Sequence, residues 1–114
     1  MNEHPNDIAW RGKSWHLRVT KRTLPDGSIH DSAYIDHPGS VVMIPWHESD
    51  PGSKVLMLRQ YRYSIRDEIL ELPAGTRGWD EDLLTCVQRE LREETGYRAE
   101  RFVDLGQFWP TPGI

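Results

Sequence analysis

Residues 75–97 read GTRGWDEDLLTCVQRELREETGY, and the rest of the chain can be arranged around this glycine-bracketed stretch. Gly75 and Gly78 open it as a loop, and the Asp80 carboxylate can accept hydrogen bonds from the unpaired amides of a first helical turn. The pattern predicts a helix that starts at Asp80 and stops at Gly96, because glycine readily takes the left-handed conformation that follows a last turn.

The predicted helix has an apolar side and an acidic side. At about 100° per residue, three apolar residues share one stripe, which predicts packing against a core. They are Leu84, Val87 and Leu91. Glu90 and Glu94 stand one turn apart beside that stripe, and Glu93 flanks them. One side of the helix therefore faces a core while the adjacent side gathers carboxylates.

Two interpretations of these carboxylates are open. Like charges one turn apart cost roughly 0.2–0.5 kcal/mol per pair. In the first interpretation the face is simply solvated, and ion pairs from Arg89 to Glu93 and from Glu94 to Arg98 relieve the repulsion. In the second, a hard cation relieves it. Mg²⁺ takes oxygen ligands, keeps several waters and is usually shared between one or two carboxylates and substrate phosphates.

The fixed positions of the stretch form the pattern G-x5-E-x7-R-E-U-x-E-E-x-G-U, where U is a bulky apolar or aromatic residue. The matching residues are Gly75, Glu81, Arg89, Glu90, Leu91, Glu93, Glu94, Gly96 and Tyr97. This pattern resembles the signature of the Nudix hydrolases. The resemblance implies an α/β (α+β) fold with a mixed β-sheet in an α/β/α sandwich, in which the signature forms a loop, a helix and a second loop.

The length, net charge and cysteine content of the chain limit its domain count, its partners and its location. At 114 residues and 13.3 kDa, the chain is at most one domain with a modest core. Its net charge of −4 argues against a nucleic-acid polymer or an anionic membrane as partner. The single cysteine, Cys86, fits a reducing cytoplasm, and its place in the predicted helix indicates a buried filler rather than a nucleophile. No apolar run approaches membrane-spanning length, so we expect a cytoplasmic protein.

Strand patterns precede the signature. Residues 1–9 look like a loose terminus, whereas residues 14–22 and 28–37 predict a small antiparallel hairpin or meander around a Pro-Asp-Gly turn. Further strands are expected at 40–46, buried on both faces, and at 54–61, 69–72 and 98–109. We therefore predict an N-terminal β layer over residues 1–37 and an incomplete Nudix domain over residues 38–114.

Sequences beside the signature resemble the ADP-ribose pyrophosphatase branch of the Nudix family. They are His37-Pro38-Gly39, Arg59-Gln60-Tyr61-Arg62, Glu71-Leu72-Pro73-Ala74-Gly75 and Pro110-Thr111-Pro112-Gly113. In this branch an N-terminal strand layer is often packed across a dimer, so the resemblance implies a homodimer. Trp10 and Trp15 lie in that layer, where they would either stack on an adenine ring or pack in a core or interface.

The resemblance also implies roles for particular residues. The expected ligands of Mg²⁺, or of Mn²⁺ as the alternative, are Glu90, Glu94, Glu93 and the carbonyl oxygen of Ala74. The expected catalytic residues are Glu93, Glu90 and Arg89, with Arg89 holding the glutamates in place. The expected substrate-binding residues are Arg62, Arg59, Glu71 and Gly75, although a surface ion pair is an equal alternative for Arg62. Glu81 is expected to favour the helix N-terminus electrostatically.

The implied function is Mg²⁺-dependent hydrolysis of the diphosphate in ADP-ribose or a related nucleoside diphosphate sugar, giving a nucleoside monophosphate and a sugar phosphate. Two alternatives are open: a Nudix hydrolase of a dinucleotide or nucleoside triphosphate, and a catalytically silent nucleotide-binding module. The chain is short for this branch, so we expect a truncated form, a proteolytic fragment or a broken reading frame. A sheet edge exposed in that way would invite pairing with a second chain.

Overall fold

The computed structural model describes residues 7–113, and within them a series of short strands precedes a single helix. The elements are β1 (Ile8–Arg11), β2 (His16–Thr23), β3 (Ile29–Asp36), β4 (Ser40–Val42), β5 (Trp46–His47), β6 (Lys54–Val55), β7 (Leu58–Arg62), β8 (Asp67–Glu71), β9 (Ala74–Thr76) and α1 (Leu83–Thr95). The strand pairs within this range are antiparallel. The predicted α+β class is confirmed, while the sandwich of layers stays an expectation.

The chain divides into two compact units. One holds the described residues up to Pro38 together with those from Asp104 onward, and the other is Gly39–Val103. The predicted domain boundary between residues 37 and 38 stays a prediction. The helix α1 is neither long enough nor apolar enough to cross a membrane, and the described residues contain no other candidate span.

The N-terminal sheet has the strand order β1-β2-β3, and the predicted hairpin forms its β2–β3 part. The connecting turn is closed by hydrogen bonds from Gly27 N to Leu24 O and from Ser28 N to the Asp26 carboxylate, both 2.9 Å long. The expectation of a loose terminus was wrong for its last residues, because Ile8 belongs to β1 and pairs with Arg18. The pairing register shifts between Ile8 and Trp10. Residues 1–6 lie outside the described part.

The signature region folds onto a two-stranded ladder. β4 pairs with β9 so that Val41 lies opposite Gly75, and α1 packs on both strands. The most buried apolar side chains are Val41, Met43, Cys86 and Leu91. The predicted stripe of α1 was therefore right at Leu91 and wrong at Leu84, which is 50% exposed, since the buried side of α1 runs through Cys86 instead.

The strand expected at 40–46 is interrupted and is buried on one face. Val41 and Met43 are buried, whereas Val42 and Ile44 are about half exposed, at 51% and 48%. Alternation along a strand puts successive side chains on opposite faces, and α1 covers one of them. Pro45 lies between β4 and β5, where it has no backbone N–H to donate to a ladder.

The middle of the chain forms two small hairpins instead of long strands. The strand expected at 54–61 is split into β6 and β7, and the one expected at 69–72 begins earlier, as β8. β7 and β8 pair from Leu58 opposite Glu71 to Arg62 opposite Asp67. The connection contains Arg66 with a positive φ of 53°, an uncommon conformation for a residue with a side chain.

The prediction of a strand at residues 98–109 was wrong. Residues 98–109 have no strand pairing, and the apolar residues that suggested one are largely exposed. Val103, Leu105 and Phe108 are 68%, 77% and 72% exposed. An apolar alternation indicates a strand only where another strand pairs with it, and none of the strands within residues 7–113 pairs with this segment.

The helix begins two residues later than predicted. The N-cap of α1 is Asp82 rather than Asp80, and its carboxylate accepts hydrogen bonds from Leu84 N at 3.1 Å and Thr85 N at 3.2 Å. Both aspartates have suitable chemistry, but the intervening Glu81 is held elsewhere, and its carboxylate accepts from Gly78 N at 3.2 Å. The C-terminus is as predicted, with Gly96 at φ 75° donating its N–H to the Arg92 carbonyl.

We predict that Asp82→Ala lowers the free energy of unfolding by about 1 kcal/mol, because it removes the acceptor of two first-turn amides. Chemical denaturation followed by the helical circular dichroism signal measures this change. Asp80→Ala is the matched control and should change the free energy of unfolding by less than about 0.5 kcal/mol. Equal losses for both variants would contradict the observed cap.

Candidate active site

Arg89 lies at the centre of the acidic face of α1. Its Nη1 donates to Glu90 Oε1 at 2.8 Å and to Glu93 Oε2 at 3.2 Å, and its Nη2 reaches the carbonyl oxygen of Thr76 at 3.3 Å. The hydrogen bonds with Glu81 and Glu90 raise the pKa of Arg89 above its ordinary value. The guanidinium therefore stays charged and connects the helix carboxylates to strand β9.

Glu81 makes a forked ion pair with the same guanidinium. Its two carboxylate oxygens accept from Arg89 Nε at 2.7 Å and from Arg89 Nη2 at 2.8 Å. The hydrogen bonds from Arg89 and from Gly78 N lower the pKa of Glu81 to about 2. The sequence interpretation gave Glu81 a role at the helix N-terminus and missed this contact. The signal was present, since Glu81 and Arg89 are fixed, oppositely charged positions of one pattern.

Glu90 is held against the backbone of β9 at Gly75. A Cβ built on Gly75 would lie 2.0 Å from Glu90 Cδ and 2.3 Å from Glu90 Oε2. Gly75 has no positive φ and lies within a strand rather than in the predicted loop. Glycine is therefore required at position 75 for a steric reason, because only glycine leaves room for the Glu90 carboxylate there.

The other two glutamates have looser contacts. Glu94 Oε2 accepts a hydrogen bond from Ala74 N at 3.1 Å, and its expected ion pair with Arg98 does not form in the described part of the chain. Glu93 is 55% exposed and its contact with Arg89 is the expected i,i+4 ion pair. Glu90 and Glu94 therefore both lie against the Ala74–Gly75 backbone, while Glu93 faces solvent beside Arg89.

The donors of this cluster fit a hard divalent cation in chemistry. Carboxylate oxygens of Glu90 and Glu94 lie against one strand segment, whose Ala74 carbonyl is the further predicted ligand. Within residues 7–113, no three His, Cys, Asp or Glu side chains come together closely enough to hold a metal ion. Mg²⁺ is commonly bound by one or two carboxylates plus substrate phosphates rather than by an all-protein cage, so the Glu90 and Glu94 carboxylates suit it in donor chemistry.

Three of the four predicted substrate-binding residues, Arg59, Arg62 and Glu71, lie on the β7–β8 hairpin, whereas the fourth, Gly75, lies in β9. Arg62 Nε donates to both oxygens of Glu71 at 3.0 Å, and Arg59 Nη1 lies 3.5 Å from Glu68 Oε1. The surface ion pair considered for Arg62 is therefore present. An arginine held by one carboxylate still has further N–H donors, so its proposed contact with phosphate stays open.

Cys86 is fully buried on the core side of α1, as the sequence predicted. Burial, followed by the hydrogen bond with Glu81, raises the pKa of its thiol to about 11. The thiolate is the nucleophilic form of cysteine, and it is scarce at neutral pH in such a site. Cys86 therefore acts as a packing residue.

The lowered pKa of Glu81 predicts a pH dependence of stability. The folded-state pKa of about 2 lies below the ordinary value of 4.5, so this carboxylate stabilises the fold above about pH 4.5. That contribution is lost as the pH falls from 4.5 toward 2. Glu81→Gln should therefore lose less stability than the parent across this window in denaturant titrations. Parallel stability curves for the two proteins would contradict the forked pair.

The close approach at Gly75 predicts a steric effect. Gly75→Ala should lower the free energy of unfolding by about 1–3 kcal/mol, because the new methyl group overlaps the Glu90 carboxylate and one of them must move. Gly78→Ala is the control: its Cβ would meet Glu81 Cβ at an ordinary 3.4 Å. Chemical denaturation should show a change of less than about 0.5 kcal/mol for Gly78→Ala. Equal tolerance of both substitutions would contradict the packing described here.

Comparison with known proteins identifies several relatives at about one-third sequence identity. The chain is 34% identical over 103 residues to the ADP-ribose pyrophosphatase of Bacillus subtilis, which covers 90% of this chain and 54% of that protein. It is 35% identical over 103 residues to the methanol dehydrogenase activator of Bacillus methanolicus, with the same coverage of 90% and 54%. The ADP-ribose pyrophosphatase of Saccharomyces cerevisiae is 33% identical over 87 residues, 76% of this chain and 37% of that protein.

The chain thus spans about half the length, or less, of these curated relatives. The model of the NUDIX domain matches residues 36–113, which is more than half of the chain and contains the whole Arg89 cluster. The glycine of β9, the glutamates of α1 and the match of this domain model lead to one conclusion. The chain belongs to the NUDIX domain family.

Proposed function

We propose that this chain carries the catalytic face of a Mg²⁺-dependent pyrophosphatase that hydrolyses ADP-ribose or a related nucleoside diphosphate sugar. ADP-ribose and water would give AMP and ribose 5-phosphate. The observation that carries the proposal is the placement of Glu90 and Glu94 against the Ala74–Gly75 backbone. The activity for which the Bacillus subtilis and Saccharomyces cerevisiae relatives are named supports the choice of substrate.

The residues that would hold the cation are Glu90 and Glu94, and Glu93 and the carbonyl of Ala74 are the further ligands that the sequence predicts. When bound, Mg²⁺ would supply Lewis-acid stabilisation of phosphate oxygens and a lowered pKa of bound water; Mn²⁺ is the alternative ion. Arg89 positions the Glu90 carboxylate through the 2.8 Å hydrogen bond, and Glu81 orients Arg89. Such orientation matters because phosphoryl transfer depends mainly on positioning and electrostatic stabilisation.

Glu93 is the candidate proton acceptor. It is the most exposed of the carboxylates paired with Arg89, and its contact of 3.2 Å is the longest of the three ion pairs. In the proposed step the water oxygen bonds to phosphorus, the Glu93 carboxylate takes the water proton, and the bridging oxygen leaves with the other phosphate. Arg62 and Arg59 would bind the diphosphate, with Glu71 orienting Arg62.

A second substrate class is the alternative, because one relative is named for a role other than ADP-ribose hydrolysis. The Bacillus methanolicus relative is named for a different role at 35% identity, similar to the identity of the ADP-ribose pyrophosphatases. A dinucleotide or nucleoside triphosphate would also present a phosphoanhydride to the same carboxylates. A product screen over ADP-ribose, GDP-mannose, NADH and deoxynucleoside triphosphates separates the candidates, with AMP release from ADP-ribose as the expected result.

The proposal includes a cytoplasmic homodimer. β1 and β3 are edge strands of the N-terminal sheet, and an edge strand offers unpaired backbone groups to a second chain. Trp10 is 50% exposed and its ring centroid lies 4.7 Å from that of Trp15, so an apolar side chain is available beside the β1 edge. Light scattering should give twice the monomer mass of 13.3 kDa, and full-rate hydrolysis by a monomer would contradict this part.

The carboxylate assignment predicts the effect of removing charge. The double variant Glu93→Gln, Glu94→Gln should lower Mg²⁺-dependent ADP-ribose hydrolysis by about a hundredfold or more, because interactions with the cation and the water proton supply several kcal/mol. Circular dichroism should show that the helix remains. Glu100→Gln, an exposed change outside the cluster, is the control and should keep the parent rate. A normal rate in the double variant would overturn the assignment.

A further inference from the structure

Arg77 follows β9 directly and has no role in the mechanism above. Its backbone N–H donates to Gly39 O at 2.9 Å, which extends the β4–β9 ladder by one position beyond Ser40 and Thr76. Side chains alternate along a ladder, so Arg77 lies on the same side as Gly75, the side that faces Glu90 and α1. The ladder register thus puts a second arginine on the side of the β4–β9 ladder that carries the carboxylate cluster.

The Arg77 side chain is half-buried, and its Nε is buried without a hydrogen-bond partner. A guanidinium is always charged, and proteins usually satisfy a buried donor of this kind with a carboxylate or a carbonyl oxygen. An unsatisfied buried donor destabilises a fold, so its presence requires a reason.

The carboxylates of this cluster have other partners. Glu81, Glu90 and Glu93 all pair with Arg89, and Glu94 accepts from Ala74 N. The Thr76 carbonyl, next to Arg77 in the chain, accepts from Arg89 Nη2. Arg89 thus pairs with three of the carboxylates of this face, while Arg77 Nε has no acceptor among the described residues.

We propose that Arg77 binds phosphate oxygens of the diphosphate substrate and is a specificity-determining residue for phosphoanhydrides. The inference rests on the proposed function and deepens it by assigning a second phosphate contact, on α1's side of β9. Arginine suits this role because its planar fork of N–H donors matches phosphate geometry and forms charge-assisted hydrogen bonds.

A purely structural role gives different expectations. If Arg77 only covers apolar surface with its stem, Arg77→Met keeps that packing and leaves anion binding unchanged. If Arg77 is kept for an anion, Arg77→Met removes an unsatisfied donor, so the thermal midpoint should stay the same or rise while anion affinity falls. Stability and binding therefore change in opposite directions only under the proposal.

The test is calorimetric binding of inorganic pyrophosphate in EDTA, which prevents turnover, to the parent, Arg77→Met and Arg77→Lys. Loss of charge-assisted hydrogen bonds should raise the Kd about tenfold to a hundredfold in Arg77→Met. Arg77→Lys keeps the charge without the fork and should give an intermediate Kd. Arg101→Met is the control, because Arg101 is exposed and lies outside the signature.

Equal Kd values for the parent and Arg77→Met, or no pyrophosphate binding by the parent, would overturn the inference. If Arg77→Met fails to fold, the intermediate Kd of Arg77→Lys decides, and an unchanged value there also overturns it. Hydrolysis of ADP-ribose by the parent is measured separately. Pyrophosphate binding that depends on Arg77 without any AMP release would refute the proposed function and leave only the anion-binding role of Arg77.

Discussion

The guanidinium of Arg89 is the interaction on which the rest of this region depends. It meets three carboxylates, those of Glu81, Glu90 and Glu93, and also the carbonyl of Thr76. Without it, acidic side chains on one turn would repel one another and turn into solvent. With it, the residue before the N-cap, the middle of α1 and the end of β9 are joined by charge-assisted hydrogen bonds, which are stronger and shorter than neutral ones.

A second constraint decides how close the helix and the strand come. The missing side chain of Gly75 lets the Glu90 carboxylate approach the backbone of β9, and Ala74 N holds the Glu94 carboxylate one turn further along. Arg89 thus balances part of the negative charge, and the geometry leaves two carboxylates against one strand segment. A divalent cation shared with a diphosphate completes the charge balance in the proposed function, because Mg²⁺ favours carboxylate and phosphate oxygens together.

Local chemistry made some of this structure predictable. The end of the helix at Gly96 and the turn between β2 and β3 follow from residues that act on their immediate neighbours. The family follows from a pattern of residues within one short stretch. Features that depend on distant partners did not follow. Asp80 and Asp82 have the same capping chemistry, so the sequence alone could not tell which of them caps α1, and the absence of pairing in residues 98–109 depends on the tertiary fold. The unsatisfied Nε of Arg77 likewise could not be predicted from the sequence, since it depends on where the acceptors of the folded chain lie.

The most direct measurement is a titration of the isotope-labelled chain with Mn²⁺ as a paramagnetic stand-in for Mg²⁺, followed by amide NMR. The account predicts selective broadening of Ala74, Gly75 and the α1 residues from Glu90 to Glu94, and its loss in Glu90→Gln. Broadening centred on the β7–β8 hairpin, or none at concentrations that support hydrolysis, would contradict the claim that this carboxylate cluster is the cation site.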